Sequence, residues 1–125
     1  MTLVIQCTVK NKEPLRMPGV TRNYCEDSDT EVVIELPENI FSLEKNTKTE
    51  INIGIDKEQC INDYDFCGVG YVVSKTKIET GEETISRAVI SIGGLLLIVK
   101  TKNDELLKDI NVVEKYYIGI KKLSK

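Results

Sequence analysis

The sequence predicts an all-β fold, an antiparallel sandwich or small barrel of seven to eight short strands with one short helix near the C-terminus. Three observations lead there. Apolar and polar residues alternate over short segments, such as residues 30–36 and 48–55, with the period of a half-buried strand. Clusters rich in Gly, Pro and acidic residues separate these segments as turns. One stretch, residues 91–100, breaks the alternation: Gly93-Gly94 leads directly into five consecutive apolar residues, Leu95 to Val99.

Residues 3–9 read as a first strand with Leu3, Ile5, Cys7 and Val9 on one side. Asn11-Lys12-Glu13-Pro14 reads as a turn, because proline cannot donate to a ladder. Met17-Pro18-Gly19 turns the chain into a short strand at 20–25, and Glu26-Asp27-Ser28-Asp29 turns it again. Residues 30–36 place Val32, Ile34 and Leu36 on one face and Glu31, Val33 and Glu35 on the other. Pro37 ends that strand, and a single helical turn is expected within 38–44. Ile51, Ile53 and Ile55 mark the strand at 48–55, after which the polar, patternless segment 56–65 reads as a loop.

A long strand follows at 66–78, where Gly68 and Gly70 predict a bend or the close approach of another backbone. Glu79-Thr80-Gly81-Glu82 is a hairpin turn into a strand at 84–92. Gly93-Gly94 then allows a sharp bend into the apolar strand. Side chains alternate along a strand, so if Leu95, Leu97 and Val99 point inward, Leu96 and Ile98 point outward and need a cover. Asn103-Asp104-Glu105 has the form of a helix start, an Asn cap with acids in the first turn, and Leu106, Leu107 and Ile110 supply its apolar stripe. Residues 115–123 close the chain as a strand.

Composition narrows the chemistry. A hydrophobic fraction of 41% with 30% charged residues in 125 residues is that of one folded domain, here spanning 1–125. No apolar run approaches the roughly 20 residues of a membrane helix, and the first residues lack the pattern of a signal peptide. An intracellular protein without a membrane partner is therefore expected. Net charge is −3, with +3 in residues 100–125 and −6 in the remainder, a poor balance for general nucleic-acid binding. The chain contains no His, which removes the usual general base and the His-metal site. Cys7, Cys25, Cys60 and Cys67 form no C-x-x-C pair, so neither metal nor other cofactor is expected. Cys7 and Cys25 read as small hydrophobes within strands; Cys60 and Cys67 could pair if a loop brings them together, but an intracellular setting favours free thiols. The glycines at 68, 70, 93 and 94 match no phosphate-binding or dinucleotide fingerprint. Asp63 and Asp65 read as solvated, and Arg87, set among apolar residues, reads as either a surface residue or an ion-pair partner at an interface. A binding or assembly role, without small-molecule ligand, is what remains.

The run Ser86-Arg87-Ala88-Val89-Ile90-Ser91-Ile92-Gly93-Gly94-Leu95-Leu96-Leu97, followed by a spacer and by Val112-Val113-Glu114-Lys115-Tyr116-Tyr117-Ile118-Gly119-Ile120-Lys121-Lys122-Leu123, resembles the eighth subunit of DNA-directed RNA polymerase. That is the small subunit shared by the eukaryotic enzymes, with an archaeal counterpart called the G subunit. Residues 64–71, 87–96 and 116–123 look like the family's Tyr-rich strand, its arginine-led strand and its terminal strand. Arg22-Asn23-Tyr24-Cys25-Glu26 and residues 32–36 are similar in pattern. The chain is shorter than eukaryotic members at the N-terminus and in the 56–65 loop, which favours the archaeal, cytoplasmic form. Ile98 stands where a eukaryotic member can carry a basic residue.

The resemblance implies an oligonucleotide/oligosaccharide-binding-type (OB-fold-like) antiparallel barrel. It also implies a non-catalytic subunit at the periphery of a multi-subunit polymerase, the catalytic residues lying in other subunits. The largest subunit is the implied partner, with Gly93, Gly94, Leu95, Leu96 and Ile98 at or beside the contact and no direct nucleic-acid contact. The alternative is a free-standing barrel that binds single-stranded nucleic acid, for which Tyr64, Phe66, Tyr71, Tyr116 and Tyr117 are the stacking candidates.

Overall fold

Alternation along these strands gives each of them one apolar face, and the chain buries all of those faces together by closing into a ring. The computed structural model describes residues 2–123. Its strands are β1 (Leu3–Pro14), β2 (Val20–Glu26), β3 (Thr30–Pro37), β4 (Lys48–Ile53), β5 (Phe66–Thr80), β6 (Glu83–Ile92), β7 (Leu95–Thr101) and β8 (Lys115–Lys122). They pair in the order β1-β2-β3-β7-β6-β5-β8-β4. β4 then pairs back onto β1, from Leu3↔Ile53 to Thr8↔Lys48, and every pairing is antiparallel. The expected antiparallel barrel is thus borne out, and closure leaves the ring without an edge strand.

The interior is aliphatic. Val9, Ile34, Ile51, Ile53, Ile90, Leu97, Val99, Ile118 and Ile120 are all completely buried. Gly68 and Gly70 serve this interior, though through side chains and not through an approaching backbone. A Cβ on Gly68 would lie 2.8 Å from the Ile92 Cγ2, and one on Gly70 would overlap Ile118 and lie 2.6 Å from the Ile90 Cγ2. The missing side chains are the space that three isoleucines occupy.

The short helix lies elsewhere than the sequence pattern indicates. α1 (Lys57–Asp63) occupies the segment that reads as a loop. Asp56 caps it by accepting from the Glu58 N–H at 3.1 Å, and Cys60 is its one buried residue. With a single buried position in seven, α1 has no apolar stripe to betray it. The segment after β7 has the expected Asn103 cap, which accepts from the Glu105 N–H at 3.1 Å, but it continues as successive turns. Its bonds run three residues back, from Leu106 to Asn103, Lys108 to Glu105 and Ile110 to Leu107. Such bonding aligns side chains three apart, and Leu107 and Ile110 are the two that bury in the core.

Two further expectations change. β1 runs on to Pro14 instead of turning at Asn11, because a bulge between Val9 and Asn11 bends it while its pairing with β2 continues. Pro14 is tolerated because β4 pairs only with Leu3 to Thr8, leaving that stretch without a neighbour on its second side. The cysteines are paired and not free: Cys7–Cys25 joins β1 to β2, and Cys60–Cys67 ties α1 to β5, with Cα separations of 5.5 and 5.7 Å. These separations fall in the ordinary disulfide range. Residues 37–41 form the single turn expected there, Phe41 donating to the Pro37 carbonyl at 3.0 Å.

Candidate partner interface

β7 is held between β3 and β6, and its register fixes what the outside of the barrel presents. Leu97 and Val99 are buried, whereas Leu96 and Ile98 point outward and stay partly exposed. Ile98 pairs with Val33 on one side and Val89 on the other. The three form an outward aliphatic row across β3, β7 and β6, and each is only partly buried. On the next row toward the β6–β7 turn, Leu96 lies opposite Ser91, and Ser91 lies opposite the exposed Tyr71 of β5. β5 bulges between Val72 and Ser74, and the extra residue, Val73, is half exposed. The patch therefore extends from Val33 to Val73.

Gly93 and Gly94 form the two-residue turn between β6 and β7, where Ile92 pairs with Leu95. Both have positive φ, 60° and 99°, the backbone of a type I′ turn whose twist matches that of the strands. Both are exposed at the end of the barrel. Leu95, paired with Ile92, is half-buried on the inward register, so it belongs to the barrel mouth and not to the outer row with Leu96 and Ile98.

A buried carboxylate fixes this strand end. Glu35 accepts from the Leu96 backbone N–H at 3.0 Å and from Arg22 Nη2 at 3.0 Å. The glutamate is 9% exposed, and its hydrogen bond is the main reason that the Arg22 guanidinium is raised above its ordinary value. β3 thereby caps a strand N–H beyond the last ladder pair, Ile34↔Leu97, and holds Leu96 in place. The pattern of Glu31, Val33 and Glu35 marks Val33 as an apolar residue on a polar register, which is the sequence signal for the row. Val89 carries the same signal beside Arg87, and Val73 shares the exposed face of Val69 and Tyr71 by alternation.

Most of the aromatic candidates for base stacking are engaged within the protein. Phe66 stacks on Phe41 with ring centroids 5.9 Å apart and packs against the core. Tyr64 covers Gly119 on the outside of β8, where a Cβ would lie 2.6 Å from its ring. Its hydroxyl donates to Glu50 at 2.7 Å and accepts from Asn52 at 3.1 Å, and Lys121 lies 4.7 Å from the ring centroid. The bond to Glu50 is the main cause of a Glu50 carboxyl below its ordinary 4.5, with burial opposing it. Tyr116 packs on the core, donates to Glu114 and accepts from the Asn111 N–H. Tyr71 alone of the five is exposed. A cleft of about 400 Å³ beside the β2–β3 turn is walled by Glu26, Asp27, Asp29 and Glu31 against Lys100 and Lys102, an unfavourable lining for a phosphate backbone. Among the described residues no group of three or more Cys, Asp or Glu is arranged to hold a metal ion, and no helix is long and apolar enough to cross a membrane.

Comparison with known proteins adds two findings. The family profile described as the G subunit of DNA-directed RNA polymerase matches residues 2–123. The DNA-directed RNA polymerase subunit Rpo8 of the archaeon Saccharolobus shibatae is 24% identical over 125 residues, covering 96% of this chain and 93% of its own length.

Proposed function

This chain belongs to the family of the DNA-directed RNA polymerase G subunit, and on that premise we propose that it is a non-catalytic subunit that aids assembly and stability by packing on the largest subunit. The polymerase as a whole is a nucleotidyltransferase; the role argued for this chain is attachment, in the cytoplasm of an archaeal cell. The observation that carries the reading is the outward row Val33–Ile98–Val89 with Leu96 beside it, apolar on the outside of a barrel whose interior is already filled. β7 is paired on both sides and offers no free edge for strand addition, so a partner on this face must be met by side chains, and the row groups the apolar ones there. The Gly93-Gly94 turn lies at the end of the same strand pair and brings exposed backbone to the contact's border.

The test is an Ile98→Asp variant of the tagged chain, compared with the wild type for recovery of the large polymerase subunits. The expected result is at least a tenfold loss of recovery, about 1.4 kcal/mol, from a protein that remains folded. Undiminished recovery would place the contact elsewhere. The competing reading, a free single-strand-binding barrel, has the exposed Tyr71 and the half-buried Tyr117 left as stacking surfaces. Salt-sensitive oligonucleotide binding by the isolated chain would favour it.

A further inference from the structure

The third outward row lies one step further along the same strands, and it is polar. Arg87 of β6 pairs with Lys100 of β7 on one side and with Thr76 of β5 on the other; Lys100 in turn pairs with Glu31 of β3. Like charges placed directly opposite across a ladder are unfavourable unless something of the opposite sign joins them. Glu31 is Lys100's neighbour and lies two strands from Arg87. Neighbouring cations are satisfied: Lys77 bonds Asp104 at 3.2 Å, Lys102 bonds Glu83 at 3.3 Å, and Lys75 donates to the carbonyls of Lys108 and Ile110. Among the described residues Arg87 has no carboxylate within 4.0 Å. Its side chain is half-buried beside Val89, on the border of the aliphatic row.

We propose that Arg87 is the polar anchor of the outer face and receives a carboxylate from an acidic, apolar segment of the polymerase subunit that covers Val33, Ile98 and Val89. The inference rests on the reading of this chain as a polymerase subunit. A planar guanidinium at the margin of an apolar patch binds a carboxylate through two parallel hydrogen bonds, and arginine is over-represented among residues that dominate binding energy. The incoming negative charge also relieves the Arg87–Lys100 opposition. A polypeptide suits this face better than a nucleic acid: beside Arg87 and Lys100 it carries aliphatic residues and the carboxylates Glu31 and Glu35, not a track of cations. A shallow depression of about 210 Å³, lined by Tyr24, Val33 and Lys100 together with Glu26 and Glu31, adjoins the row and has room for one apolar side chain.

The experiment uses the full-length tagged chain expressed in its own cells, with thermal unfolding of each variant as the check on folding. Arg87→Glu is expected to reduce recovery of the large subunits at least tenfold, and Arg87→Lys to retain part of it. Arg87→Gln should lower recovery and flatten its dependence on salt. Its melting temperature should equal or exceed the wild type's, since the opposition to Lys100 is gone. A photo-cross-linking residue at Val89 should label a polymerase peptide that contains Asp or Glu. Wild-type recovery by Arg87→Glu overturns the proposal and leaves the subunit reading intact, as does a Val89 cross-link to nucleic acid while the large subunits still copurify. Failure of the wild type itself to recover any polymerase removes both.

Discussion

Val113 is the residue whose conformation is least suited to its chemistry. It is β-branched, has φ of 76° and is 65% exposed. The left-handed region costs an L-residue about 1–2 kcal/mol, more for a branched one. Backbone bonds hold it there: its N–H donates to the Val72 carbonyl, and Val72 donates to the Glu114 carbonyl, both at 3.0 Å. Val113→Gly is therefore expected to raise stability by roughly 0.5–1 kcal/mol, the relief of strain exceeding the greater freedom of glycine in the unfolded chain. Thermal or urea unfolding checks it. Glu50 gives the complementary pH prediction. Its carboxyl is held below 4.5 chiefly by the Tyr64 hydroxyl, with further bonds from Gln6 and Lys121. The stability contributed by this depression is fully present above the unfolded value and is lost as pH falls through the lower folded one. Glu50→Gln should flatten the fall of melting temperature below about pH 4.5 while leaving its slope near neutrality unchanged.

At the scale of elements, the strands are legible because each carries its period in the residues. Thr30-to-Leu36 alternation, the Gly93-Gly94 turn and the inward and outward sets of β7 all follow from a repeat of two. α1 is not legible because a seven-residue helix with only Cys60 buried has no repeat to display. The turns after Asn103 pass for a helix because a cap and a stripe at 106, 107 and 110 serve turns with three-residue bonding equally well. The Cys7–Cys25 disulfide is hidden for a different reason. Cys7 and Cys25 lie 18 residues apart, and only the β1–β2 register brings their Cα atoms to 5.5 Å. Of the interface, the sequence displays Leu96 and Ile98 and puts Tyr71 and Val73 on one shared face, while the strand order that brings that face beside β6 is encoded by no local pattern. The same strand geometry sets the stability expected of Ile98→Asp. Its side chain is outside the filled interior, so unfolding should change by no more than about 1 kcal/mol, against the roughly 2–5 kcal/mol typical of emptying a core position. Loss of the fold on that substitution would mean that the outward and inward registers of β7 are exchanged.

The whole molecule is a filled barrel with its conspicuous chemistry on the outside. Its interior is packed by isoleucines that press on two bare glycines, and three of the five candidate stacking aromatics, Tyr64, Phe66 and Tyr116, are tied to the barrel or its rim. What remains open is a sheet face that is aliphatic across three strands and bordered by an arginine that, among the described residues, has no carboxylate within 4.0 Å. A component of a larger assembly is expected to have such a face, since burial of each aliphatic side chain contributes roughly 1.5–3 kcal/mol when complete. The most direct measurement is affinity copurification of the tagged chain from its own cells, with mass spectrometry of what accompanies it. The large RNA polymerase subunits are expected in near-stoichiometric amount. Recovery of nothing, or of nucleic acid alone, would contradict it.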